Sequence, residues 1–238
     1  MKLLEVRGLT KSFSKRKVVD DVDFEVFSGE VVGLLGKNGA GKSTLFKMMI
    51  GLIKPDKGKV IFQGNDITKE PIYMRARHGV GYLSQEPSIF QKLTTEENIL
   101  AILETLKYNR KEKHEKLLQL LGEFGLTKLA KMKAYTLSGG ERRRLEIARS
   151  LATSPSLILL DEPFTGVDPI AITEVKDIIL KLRDKGIGLL ITDHNVRDAL
   201  SITDRSYILD GGMVITKGTT SEILDDPIAR KSYLGEEW

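Results

Sequence analysis

Cysteine is absent from the 238 residues. That excludes disulfides, thiolate metal sites and a cysteine nucleophile, and it fits a reducing cytosol. No apolar run approaches the roughly twenty residues that a membrane-spanning helix needs, so a role at a membrane is expected to come through a partner. The opening residues, Met1-Lys2-Leu3-Leu4-Glu5-Val6-Arg7, have no long apolar core and no cleavage pattern, so no secretory leader is expected there. Repeats and low-complexity tracts are missing too. Charge of one sign is not concentrated anywhere: a net +4 is spread along the chain. The densest basic stretch, Lys107 to Lys116, is broken by Glu112 and Glu115. It reads as a solvated helix face, and no nucleic-acid partner is expected.

What is present is 41% hydrophobic residues, enough for a substantial core in one domain or one domain with an insert. The first third reads as strands. Leu3 to Leu9 is a short strand candidate. Val22, Phe24 and Val26 alternate with Asp23 and Glu25, the pattern of a half-buried strand. Val31-Val32-Gly33-Leu34-Leu35 reads as a strand buried on both faces. From 86 to 153 the periodicity turns helical. Thr94 and Glu97 have capping-box spacing. Leu117, Leu120, Leu121 and Phe124 form a helical stripe that Gly125 ends. Strand character returns at Leu157 to Leu160 and at Gly188 to Thr192, with a helix from about Ile170 to Asp184 between them. That rhythm implies a parallel sheet with crossover helices. Asp210-Gly211-Gly212 between apolar runs signals a hairpin. The expected organisation is a single domain, 1–238: an α/β core from 1–85 and 154–238, with a helical insert at 86–153.

Three segments carry chemistry. Gly36-Lys37-Asn38-Gly39-Ala40-Gly41-Lys42-Ser43 fits the P-loop pattern, between a buried strand and a helical run from Thr44. Its glycines let successive N–H groups converge on phosphate oxygens, and the helix start adds partial positive charge. Lys42 is expected to reach the β- and γ-phosphates of a nucleotide, and the Ser43 hydroxyl to bind Mg²⁺. Asp161-Glu162 follows four apolar strand residues, which deliver the pair to the strand's C-terminal end, where open α/β sheets place ligands. One carboxylate can hold the metal, while its neighbour orients or deprotonates a water. The third segment is Leu137-Ser138-Gly139-Gly140-Glu141. Ser138 and Glu141 have capping-box spacing, and the two glycines leave the first N–H groups uncovered. That makes a second anion site, apart from the P-loop. Two unlike phosphate-binding helix ends in one chain suggest ATP sandwiched between two subunits.

A P-loop, then Leu-Ser-Gly-Gly-Glu, then four apolar residues with Asp-Glu-Pro, resembles the ABC ATPase family over essentially the whole chain. The resemblance implies a P-loop NTPase core with a mostly parallel sheet, an N-terminal antiparallel β part and an inserted helical subdomain. It implies that the P-loop from Gly36 through Thr44, together with Ser138, Gly139 and Gly140, binds ATP. It implies Mg²⁺ at Ser43, Gln85 and Asp161. Gln85 would be the residue linking metal and water to a membrane partner, and Asp168 would touch the other subunit. His194 would contact the γ-phosphate, followed by Asn195 where many members have Asp. Phe13 stands where the family places an aromatic against adenine. Lys42, Gln85, Glu162 and His194 would form the catalytic set.

The finer resemblance is to the ATPases of lipopolysaccharide-export systems. It rests on Gly79 to Phe90, on Leu137 to Arg149, on Ile191 to Arg197 and on the tail Tyr233-Leu234-Gly235-Glu236-Glu237, with departures at Ser84 and Pro87. It implies a homodimer under two transmembrane permease subunits, peripheral on the cytoplasmic face of the inner membrane, with only indirect membrane contact. The alternative is the ATPase of a branched-chain amino-acid importer. A soluble ABC ATPase acting on ribosomes or DNA would usually carry two cassettes or a coiled-coil insert, and a non-enzymatic cassette would be expected to have lost Lys42, Glu162 or His194. The permeases are expected in a groove near Gln85 to Phe90. Ile89 and Phe90 are large apolar residues in a stretch that should be a surface loop. They either line that groove or fold back as a local core.

Overall fold

The computed structural model describes residues 1–86, 88–166 and 168–234. Pro87, Val167 and the tail residues Gly235, Glu236 and Glu237 lie outside the described residues.

The chain opens with a long hairpin, β1 (Lys2–Phe13) and β2 (Arg16–Phe27). In β2 the alternation sends Val22, Phe24 and Val26 inward and Asp23 outward. Farther along come β3 (Val31–Gly36), α1 (Lys42–Met49), β4 (Lys57–Phe62), β5 (Asn65–Asp66), α2 (Ile72–His78) and β6 (Val80–Leu83). Helices dominate next: α3 (Thr95–Leu103), α4 (Arg110–Glu123) and α5 (Gly139–Leu151). The remainder is β7 (Leu157–Asp161), α6 (Pro169–Asp184), β8 (Gly188–Thr192), α7 (Val196–Leu200), β9 (Arg205–Asp210), β10 (Met213–Gly218) and α8 (Thr220–Asp225). A short turn, Arg230–Leu234, follows and tucks Leu234 into the core.

Two sheets result. β2-β1-β4-β5 is antiparallel. The second has six strands in the order β10-β9-β3-β8-β7-β6, parallel throughout except for the antiparallel edge strand β10. Strands β3, β7 and β8 are buried along their whole length, as continuous apolar runs require. Their side chains alternate between two cores. Val31, Leu35, Ile158, Leu160, Leu189 and Ile191 face the helices. Val32, Leu34, Leu157, Leu159 and Leu190 face the antiparallel sheet and α1.

Capping boxes start α3 at Thr94, α4 at Asn109, α5 at Ser138 and α8 at Thr219. Gly125 ends α4 with a positive φ of 63°. The basic stretch at the start of α4 is indeed a largely exposed helix face.

Candidate active site

Four neighbouring parallel strands, β3, β8, β7 and β6, end on the same side of the sheet. Each delivers a residue singled out in the sequence: the P-loop after β3, Gln85 after β6, Asp161-Glu162 at the end of β7, and His194 after β8.

The P-loop turns on Gly41, whose φ of 106° only glycine adopts readily, and a Cβ there would meet the Val18 carbonyl at 2.6 Å. Gly36 is tighter still: a Cβ would come within 2.3 Å of the Leu209 carbonyl. Lys42 is only 6% exposed. Its Nζ donates to the carbonyls of Gly36 at 2.5 Å and Lys37 at 3.0 Å. Burial lowers its pKa, while Glu162, Asp161 and Asp193 pull the other way. A buried cation held by two loop carbonyls at a helix start has the chemistry to answer a polyanion. Ser43 is exposed at the same helix start.

Glu162 is the hub. Its Oε2 accepts from Gln85 Nε2 at 2.9 Å and from Thr165 Oγ1 at 3.0 Å, and lies 3.3 Å from His194 Nδ1. Three of the predicted catalytic residues therefore meet on one carboxylate oxygen. The Glu162 backbone is left-handed, with φ 47°. Such a conformation in a residue other than glycine costs about 1–3 kcal/mol and persists only where its surroundings enforce it. Here the Glu162 N–H donates to the Thr192 carbonyl at 2.9 Å. The buried Thr192 hydroxyl donates to Asp161 Oδ1 at 2.8 Å and lies 3.3 Å from the Glu162 nitrogen. Tyr82 donates to the other Asp161 oxygen at 3.3 Å, and burial together with Asp161 pushes the Tyr82 pKa up to about 12.

The other predicted residues lie elsewhere. Phe13 ends β1, 46% exposed, with the Lys11 ammonium 5.6 Å from its ring centroid. Its hairpin adjoins the P-loop through the contact of Val18 with Gly41. Ser138 caps α5, accepting from Glu141 N at 3.3 Å while Glu141 Oε2 accepts from Ser138 N at 2.8 Å. A Cβ at Gly139 would meet nothing within 4 Å, so that helix end is open. Helix α1 packs on β2, β3 and β7, but α5 packs on α3, α4, α6 and β6, so the two helix starts stand on different layers. Asp168 caps α6, accepting from Ile170 N at 3.1 Å and Ala171 N at 3.0 Å.

The family model described as "ABC transporter" matches residues 19–165. The chain belongs to the ABC transporter family. It is 54% identical over 236 residues to a lipopolysaccharide export system ATP-binding protein from Acidithiobacillus ferridurans, covering 99% of this chain and 98% of that one. The protein of that name from Escherichia coli K12 is 47% identical over 239 residues, covering 100% and 99%. Among solved structures, the nucleotide-free ATP-binding cassette of an ABC transporter superposes with a TM-score of 0.88 at 31% identity, covering 99% of this chain and 100% of that one. This ABC protein is an ATP-hydrolysing enzyme.

In this ABC ATPase, α5 also grips the loop that carries Gln85, which the sequence reading did not foresee. Arg143 and Glu146 form a buried ion pair at 2.8 Å. Arg143 reaches the Ser84 carbonyl at 3.4 Å, and Glu146 accepts from Ser88 N at 3.1 Å. Arg149 donates to Ser88 Oγ at 2.6 Å and stacks 5.1 Å from the Phe90 ring centroid. The only signal available was charged residues recurring every three positions, which a solvated helix shows equally well. The same loop separates the two apolar residues. Ile89 is buried in the helical core, but Phe90 is 47% exposed. Buried Asn98 clamps the Phe90 backbone, accepting from its N–H at 2.8 Å and donating to its carbonyl at 3.1 Å. The Phe90 ring lines a groove of about 300 Å³ with Ile72, Tyr82, Ile102 and Arg149.

Proposed function

We propose that this chain powers lipopolysaccharide export as an ATPase homodimer beneath two transmembrane permease subunits, on the cytoplasmic face of the inner membrane. The meeting of Gln85, Thr165 and His194 on Glu162, beside Lys42, is the observation that supports the hydrolytic role. Near-full-length likeness to proteins named for lipopolysaccharide export supports the transport role.

On this reading Gly36 to Thr44 cradles the triphosphate of ATP, and Lys42 leaves the loop carbonyls for the β- and γ-phosphates. Phe13 offers its ring face to adenine. Glu162 polarises the attacking water; Gln85 and His194 hold it and the γ-phosphate in register. Ser43, Asp161 and Gln85 would present the hard oxygen donors that Mg²⁺ takes, a single carboxylate among them, with phosphates and water completing the set. Bound there, Mg²⁺ would neutralise phosphate charge. Ser138, Gly139 and Gly140 close on the nucleotide of the partner subunit, and Asp168 meets that subunit too. Segment 86–153 acts as one subdomain, and its groove at Phe90 receives a short helix of each permease.

Purifying the chain from detergent-solubilised native membranes tests the assignment. Two membrane partners with large periplasmic domains are expected. A co-purifying permease served by a periplasmic amino-acid-binding protein would replace export with import.

A further inference from the structure

Asp193 follows Thr192 directly at the end of β8 and is fully buried, with 0% exposure. Its Oδ1 accepts from Asn195 N at 2.8 Å and its Oδ2 from Phe164 N at 3.2 Å. Phe164 belongs to the loop after Glu162, and Asn195 caps α7. One carboxylate thus ties the Glu162 loop to the His194 segment through two backbone N–H groups. It also faces the imidazole: Oδ1 lies 3.6 Å from His194 Nδ1. Glu162 Oε2 and Thr165 Oγ1 face that same nitrogen at 3.3 Å each.

A histidine's useful nitrogen is set by what the other one faces. Thr165 Oγ1 gives its own proton to Glu162 Oε2, and Asp193 Oδ1 already accepts from Asn195 N, so both oxygens face Nδ1 as acceptors and call for a proton there. None of these three contacts uses Nε2. Asn195 supplies nothing comparable, because its side chain is spent on Asp198: its amide bonds the Asp198 carboxylate, and its oxygen accepts from Asp198 N at 3.3 Å.

We propose that Asp193 is the positioning residue of the hydrolytic site: it fixes the His194 ring with Nδ1 inward, leaves Nε2 for nucleotide, and locks the Glu162 loop to the same frame. This rests on the reading of His194 as the γ-phosphate contact. The carboxylate that orients the imidazole therefore precedes the histidine in this chain instead of following it.

The chain has three histidines, so ring ¹⁵N signals can be assigned with His78→Gln and His114→Gln. In the otherwise unaltered protein, His194 Nδ1 should resonate as a protonated nitrogen. A bare Nδ1 there overturns the proposal without any change at Asp193. In Asp193→Asn, the Nδ1 signal should shift toward the bare form. kcat should fall about 10- to 100-fold, the range for losing a residue that orients a catalytic group, while the Kd for Mg-ATP stays within about twofold. An unchanged ring spectrum, or a kcat within about twofold in a variant of unaltered Tm, also overturns it. The function reading fails separately: a wild-type chain that neither binds nor hydrolyses Mg-ATP would sink that reading whatever the ring spectrum shows.

Discussion

Lys42 is a buried cation that, on the proposed reading, awaits a polyanion. Loop carbonyls hold its ammonium, and desolvation works against its charge. Lys42→Ala should abolish ATPase activity and weaken ATP binding, read by phosphate release and by nucleotide titration. Arg75 is the opposite case, a buried charge with no part in chemistry. It is 1% exposed and donates to the carbonyls of Thr68 and Glu70 at 2.9 Å each, Met48 at 2.8 Å and Met49 at 2.6 Å. Two of those carbonyls belong to the end of α1, so Arg75 stitches the P-loop helix to α2. Arg75→Leu would strand buried carbonyls and should cost roughly 3–5 kcal/mol. For a domain of this size that lowers Tm by about 6–20 °C. A melt within 2 °C of wild type would rule out the stitch.

At the scale of elements, α5 does two things at once. Its first turn offers Ser138 and open N–H groups, and its buried face holds the loop of Gln85 and Phe90. Mixing Ser138→Arg with Lys42→Ala chains should restore partial ATPase activity that neither has alone, because one composite site then keeps both halves. A fully active Ser138→Arg would reduce Ser138 to a cap. For the groove, Phe90→Ala should leave Tm and basal ATPase near normal and weaken co-purification of the permeases, by roughly 2 kcal/mol if the ring is an anchor. Undiminished assembly would remove Phe90 from the docking surface. These elements differ in how openly the sequence announces them. Strands β3, β7 and β8, the capped starts of α3 and α5, and the stripe of α4 are legible because periodicity and capping are local. Segment 52–83 is not. β4 begins Lys57-Gly58-Lys59 with no alternation, and α2 is anchored by the guanidinium of Arg75, a residue that sequence logic sends to the surface. The same holds in the site: motif residues stand out by spacing, but Thr192, Asp193 and Tyr82 act through contacts between strands that only the fold creates.

For the whole molecule, the starts of α1 and α5 stand on separate layers, and on the proposed reading each copy contributes one half of each nucleotide site. Glu162→Gln keeps the hydrogen bonding of the hub but removes the base. It should bind ATP, fail to turn it over, and double its mass by light scattering when ATP is added and not without it. A monomer at saturating ATP would count against the sandwich.

Strand β7 joins all of this in one register. Ile158 and Leu160 fill one core, Leu157 and Leu159 the other, and the next residues are Asp161 and Glu162. Inserting or deleting a single residue in β7 would swap the occupants of both cores while moving the acids off their marks. A one-residue shift that displaced Asp161 and Glu162 would therefore show first as lost stability and only then as altered chemistry.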